Sequence, residues 1–479
     1  MSRIAILGSE PDALAAAIVL ARAGREVHVF EPSDQIGGRA WSAHSIAPGC
    51  MAQGYHHDVF VAPDTMKALG LLAEGLTTTH APASISWRDG TCAEVSASET
   101  AALQARHARM AIYDVTGAQL ARQAAPQLLG ERDWMSIARA GLSVRMLGAR
   151  NMSDLLRRSP LAIRDDLDED GLHGDVAAGE ALKALFGTWL GPFDPTATAL
   201  ACLRHTLRKS TVASGVTLCE TLATRAKNAG VVFHVGQPIE GIDIGADGAD
   251  GVRVGGARHA TDAILHGADP KALLRLLDPL QRPPSLSRDL EHLRARGTIA
   301  IAHLATKGPL LPHAQQTTGC ARLATTLETM ERAHDAKKRG RMPEEPGLTV
   351  RQWADVSPDG LKSSTVCVHG VPHTLKDSDA VTGWLQHALS EHFGATKPEA
   401  IEVVLPSQMA RADGMHGTHI YHAETSLDQL WSLRPAQSLV AAGTRIPGLY
   451  HASLASHPGP LAVCNAGTQA AQTILSDLS

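Results

Sequence analysis

A chain of 479 residues with 44 % hydrophobic content can bury a large core and should divide into about two or three domains. Its formal net charge of −5 excludes a global nucleic-acid footprint, so no nucleic-acid partner is expected. The longest clean apolar run, Ala13 to Ala21, is too short to span a bilayer and has no charged segment before it, so no transmembrane segment is expected. Seven scattered cysteines without a C-x-x-C pair argue against a disulfide framework, a zinc knuckle or a dithiol centre, and fit a reducing cytoplasm. The basic run Lys337-Lys338-Arg339, with Arg341, reads as a solvated face.

In chain order, Ile4 to Leu7 reads as a strand, Gly8 as a tight turn and Asp12 to Ala23 as an alanine-rich helix. Glu26 to Phe30 follows as a second strand ending in Glu31. This is a complete βαβ unit of the kind that binds dinucleotides. A more helical, polar stretch runs from Thr77 to Lys209. Leu218 to Ala229 reads as a helix ended by Gly230, and strand signals follow at 231–234, 239–244, 251–255 and 262–265. A mixed stretch spans 284–425, and the chain closes with a strand at 448–451 and a helix from Asn465 to Leu475. The expected plan is a discontinuous dinucleotide-type domain (1–76, 210–283 and 426–479) with a substrate or cap domain (77–209 and 284–425) inserted into it.

The motifs in that order make the chain resemble the flavin-dependent phytoene desaturase and amine oxidase superfamily. They are most similar to the pyridine nucleotide-disulphide oxidoreductase domain-containing protein 2 group. The shared elements are Glu31, Gly37-Gly38-Arg39-Ala40, Gln53 to Asp58, Ala268-Asp269-Pro270-Lys271, His422 with Ser426 to Leu430, Arg434-Pro435 and His457-Pro458-Gly459. The resemblance implies an α/β fold: a Rossmann-like FAD-binding domain of the glutathione reductase and amine oxidase type, with an inserted α+β substrate domain. It implies FAD as cofactor, with Gly8, Ser9, Glu31, Gly37, Gly38, Arg39 and Gly459 as the residues that would bind it.

Departures from the family pattern converge on the same ligand. Glu10 replaces the turn glycine that lets backbone touch the pyrophosphate, Phe60 and Val216 replace glycines expected near the flavin, and Pro460, Leu461 and Cys464 interrupt the last glycine motif. Glycine serves such places because it lacks Cβ and tolerates positive φ, and Pro460 also removes an N–H. A Glu10 carboxylate about 4 Å from a phosphate charge costs roughly 4 kcal/mol at an effective dielectric of 20, or about a thousandfold in affinity. Alternatively, Glu10 turns to solvent and FAD binds regardless.

Three functions follow. The first is a flavin-less relative, a binding or scaffolding protein that takes a small apolar or amine-bearing ligand or joins an oligomer with itself or an intact homologue. The second is a working FAD oxidoreductase that desaturates a C–C or C–N bond. The third is a non-redox acid–base enzyme in the inherited cleft, for which His57, His422 and His457 are the candidates. No metal is expected, because no carboxylate completes a ligand pattern around His56, His57, His266, His416, His419, His422 or His457. His416 and His419 read as surface residues, and His369 and His373 as loop residues. Tyr55, Tyr421 and Trp431 are read either as core or as the lining of an apolar cleft. No G-x-S-x-G elbow or H-E-x-x-H motif supports a hydrolase.

Overall fold

The computed structural model describes residues 2–479 apart from 75, 77–83, 89–90, 93–94, 123–124, 126–133, 199–210, 312–319, 324–325, 394–396 and 413–417. The opening segment forms strand β1 (Arg3–Leu7), helix α1 (Pro11–Arg22) and strand β2 (Glu26–Glu31). All of β1 except Arg3 is buried, as expected of a parallel strand covered on both faces. Pro11 is tolerated in the first turn of α1, where its missing N–H would have had no helical partner.

Helix α2 (Gly215–Asn228) leads into strand β3 (Val232–Val235), and strand β4 is Ala263–His266. Helix α2 begins three residues earlier than its sequence signal, because the Ser214 hydroxyl caps it by accepting from the Val216 N–H at 3.1 Å. Helix α3 is Leu327–Lys338, strand β5 is Leu449–His451 and helix α4 is Asn465–Asp477. The five strands make one wholly parallel sheet in the order β5-β4-β1-β2-β3. Segments from both ends and the middle of the chain therefore build a single Rossmann-like layer. The small residues of α1 let α4 approach closely, and a Cβ on Gly467 would lie 1.8 Å from the Asp12 carbonyl oxygen.

An antiparallel meander (Ile239–Ile244, Ala249–Val254, Ala257–Ala260) stands beside this sheet. A second, seven-stranded sheet is drawn from 84–92 and 299–404, with Leu348–Val356 at its centre and Leu361–His369 pairing it to Ile299–Lys307. Its core is a separate apolar cluster that includes Val350, Val366, Val368, Val381 and Leu385. Strand His57–Phe60 pairs antiparallel with Thr211–Ser214, where the chain passes between the two layers. The described part of the polar stretch before it is mostly helical, as expected, but also gives strand Ser84–Arg88 and the edge strand Thr91–Cys92 to the second sheet. No described helix is long and apolar enough to cross a membrane.

Candidate functional site

The carboxyl ends of β1, β2 and β4 open onto a cleft of about 980 Å³, the place where open parallel sheets bind ligands. Gly8, Glu31, Gly38, Arg39, His266 and Glu402 are among its walls. Gly8 has φ 98, a conformation free to glycine, and its Cβ position is only 3.3 Å from the Gly267 carbonyl oxygen. Ser9 lies behind this turn. Its N–H and hydroxyl both donate to Glu31 Oε2, at 3.0 and 2.5 Å, and its hydroxyl accepts from the Gly37 N–H at 2.7 Å. Glu31 also accepts from the Ser33 N–H. Burial, with Glu10 adding to it, pushes the Glu31 carboxyl above its ordinary range despite these donors.

Glu10 begins α1 without capping it; no helix N–H donates to its side chain. It does not turn to solvent. Its carboxylate is 14 % exposed and meets the buried imidazole of His422, Oε1 to Nε2 at 3.1 Å. The other two polar atoms of this pair, Glu10 Oε2 and His422 Nδ1, are buried without hydrogen-bond partners among the described residues. Burial works against the imidazolium, but Glu10 overrides it and holds His422 above its ordinary value. One turn into α1, burial pushes the Asp12 carboxyl up to about 7, Glu10 raises it further, and the Gly467 N–H donated to Oδ1 opposes both. Three carboxylates thus crowd the first turn of α1. Across the cleft, Arg39 is paired with Glu402 of the second sheet, and His44 joins the same carboxylate at 2.8 Å.

Side chains fill the space beyond the turn. Trp41 and Tyr55 are almost fully buried, and the Trp41 ring stacks on His56 at 4.0 Å. Burial pushes His56 down to about 3, with His422 and His419 adding to the effect. His266 meets His451 through their Nδ1 atoms at 3.1 Å, and burial pushes His451 down to about 3. His457 faces a smaller cavity of about 170 Å³ shared with His451 and Arg434. The backbone of His57 lies in the crossing strand, and its side chain is outside the described residues.

Several sequence expectations change place. His419 is buried rather than superficial, with its Nε2 2.5 Å from the Gly187 carbonyl oxygen. His369 ends a strand and is buried, bonded to Thr349, so it is not a loop residue; His373 does lie in a turn. His416 is outside the described residues. Lys337, read as part of a solvated face, is buried, because its amine turns to the face of the Trp189 ring instead of reaching water. Gly459 does not line the cleft; it leaves room for the buried guanidinium of Arg434, 2.7 Å from its Cβ position.

Arg434, which sequence reasoning quoted only as a motif residue, donates to the carbonyls of Glu424, Gln429 and Leu454. Burial lowers its guanidinium to about 10. Pro460 and Leu461 form a short helical turn with Gly459, and the Phe60 carbonyl accepts from the Val463 N–H. Cys464 keeps a left-handed backbone (φ 74), the conformation for which a glycine is suited. Tyr55 is core, while Tyr421 is partly buried against His56 and Trp431 partly buried near Arg434. Among the described residues no three His, Cys, Asp or Glu side chains converge as a metal site. Sequence reasoning missed Glu402, whose segment carries no motif, and the partnership of His451 with His266.

Residues 14–362 match the model of a family described as flavin containing amine oxidoreductase. An oxidoreductase from Methanosarcina mazei superposes with a TM-score of 0.61 at 15 % identity, covering 99 % of this chain and 100 % of its own. Putrescine oxidase bound to putrescine gives 0.64 at 15 % identity, covering 100 % and 99 %. Cyclohexylamine oxidase from Brevibacterium oxydans gives 0.59 at 13 % identity, covering 100 % and 99 %. At these identities the structural likeness speaks for the fold.

Proposed function

Since the chain belongs to the flavin-containing amine oxidoreductase family, with that family's Rossmann-like layer, we propose that it is a flavin-free member whose inherited cleft binds a small ligand. The supporting observation is that each group a pyrophosphate would use already has a carboxylate beside it. Glu10, with Asp12 nearby, stands at the N-terminus of α1, and Glu402 holds Arg39. A helix N-terminus and an arginine are the two ordinary sources of phosphate affinity, and here each has a carboxylate beside it. The residues present therefore do not fit a dinucleotide in its usual place, and no redox step is assigned to the cleft. Its remaining chemistry, an apolar floor with Glu31, His44 and Glu402 at the rim, suits a small amine-bearing molecule.

The test is optical and thermal. Purified protein should be colourless, and added FAD should leave its melting temperature unchanged. Glu10→Gly combined with Glu402→Gln should then gain FAD affinity, since one carboxylate about 4 Å from a phosphate is worth roughly 4 kcal/mol at an effective dielectric of 20. A yellow protein carrying stoichiometric FAD would overturn this reading. It would favour the second, a working FAD oxidoreductase, for which the size of the cleft and the position of Glu31 on its wall speak. In that case Glu31→Ala should strip flavin and activity together.

A further inference from the structure

Lys337 lies in the last turn of α3 and is 4 % exposed, although Lys338 and Arg339 beside it reach solvent. Among the described residues no carboxylate stands within salt-bridge distance of its amine. The amine instead faces the indole of Trp189, 4.8 Å from the ring centre, and Arg296, itself paired with Glu424, lies 4.2 Å from the same ring. Lys337 forms part of the wall of a cavity of about 50 Å³ beneath the second sheet. His334, three residues earlier on the same helix face, shares that wall with Thr188, Thr298 and His369, and Leu182 and Met330 make it partly apolar. A water needs about 10–15 Å³ of such space, so the cavity holds a molecule of about four heavy atoms.

We propose that this cavity is a carbonyl-binding site in which the Lys337 amine forms an imine with a small aldehyde or ketone. The Nζ lone pair attacks the carbonyl carbon, and the carbonyl electron pair moves to oxygen. Both amine hydrogens end on that oxygen, which leaves as water when the C=N bond closes. Nothing is oxidised or reduced. His334, which lines the same cavity and lies 2.9 Å from Asp194, is the imidazole that would carry a proton from nitrogen to oxygen. Burial favours the reactive form, lowering the amine to about 7. Lys338 and Arg296 lower it further, while Asp194 and Glu424 oppose them. An ordinary lysine near 10.4 is neutral at pH 7 about a thousandfold less often. The proposal is independent of whether the cleft of the first sheet holds flavin.

The experiment treats the full chain with propanal and cyanoborohydride at pH 7 and maps propylated lysines by mass spectrometry. Lys337 should label at least about tenfold faster than exposed Lys338, with a rate that falls as pH drops below about 7. Benzaldehyde, too large for the cavity, should reverse that preference. Lys337→Met should remove the fast site, and His334→Gln should slow it without removing it. Labelling that simply follows exposure, with Lys337 untouched in the wild-type chain, would overturn the proposal, and so would equal labelling of Lys337 by both aldehydes.

Discussion

Glu10 and His422 come from opposite ends of the chain, and each accounts for the other's burial. The carboxylate raises the imidazole above its ordinary value against the pull of burial, and the imidazole gives a partner to a carboxylate that caps no helix N–H. Glu10→Gln should therefore lower the His422 value, because its largest raising partner is lost and only the weaker pull of Asp269 and Asp12 still opposes desolvation. NMR titration of the His422 ring checks this, and the lost charged hydrogen bond should cost about 2 kcal/mol in urea unfolding. The raised His422 value makes that contribution complete below pH about 6.5 and lost as pH rises through the folded-state value. Arg434 acts by a different route, giving its charge to three backbone carbonyls and, among the described residues, to no carboxylate. Arg434→Leu removes a donor from each of those carbonyls, of which Glu424 keeps the Gln429 side chain, and should destabilise the chain by about 3 kcal/mol, read as a lower denaturation midpoint at unchanged slope.

At the scale of elements, the first sheet is held to its helices by the closeness of α1 and α4. Gly467 permits that closeness, and its N–H supplies the hydrogen bond that keeps buried Asp12 in place. Gly467→Ala puts a methyl group into the Asp12 carbonyl, so the helices must separate. A loss of about 3 kcal/mol, the upper range for overpacking, is expected in denaturant unfolding, with greater amide exchange in both helices. The same elements set the character of the cleft. Strand ends and the Gly8 turn leave its mouth open, while the C-terminal segment brings His422 onto Glu10 and Arg434 onto the separate, smaller cavity.

For the whole molecule, the notable population is buried neutral histidine. Burial pushes His56, His303 and His451 down to about 3 and His419 to about 4. Below pH 6.5 the unfolded chain takes up protons at these four sites and the native chain does not, so stability falls as pH falls. Asp12, raised to about 7, works oppositely over the same window, because the native state holds a proton that the unfolded carboxyl releases. From these five groups alone the difference of about three protons corresponds to about 4 kcal/mol per pH unit once pH is well below 6.5. Urea unfolding at pH 7.5, 6.5 and 5.5 should show a steep loss over the last step. Equal stability at pH 5.5 and 7.5 would contradict the burial of these rings.

The sequence by itself determined the layer and its family. Strand β1, the Gly8 turn, α1 and β2 were legible because apolar runs, a turn glycine and helix periodicity are properties of neighbouring residues. The Gly37-Gly38-Arg39 and Arg434-Pro435 motifs were legible because their spacing is local. Only the tertiary structure decided where charges point. Whether Glu10 meets water or His422, whether Arg39 is free or held by Glu402, and whether Lys337 is solvated or buried against Trp189 depend on segments far apart in the chain. The energy of a charge depends on the dielectric and the partner that the fold brings to it, and neither is written in the residues beside it.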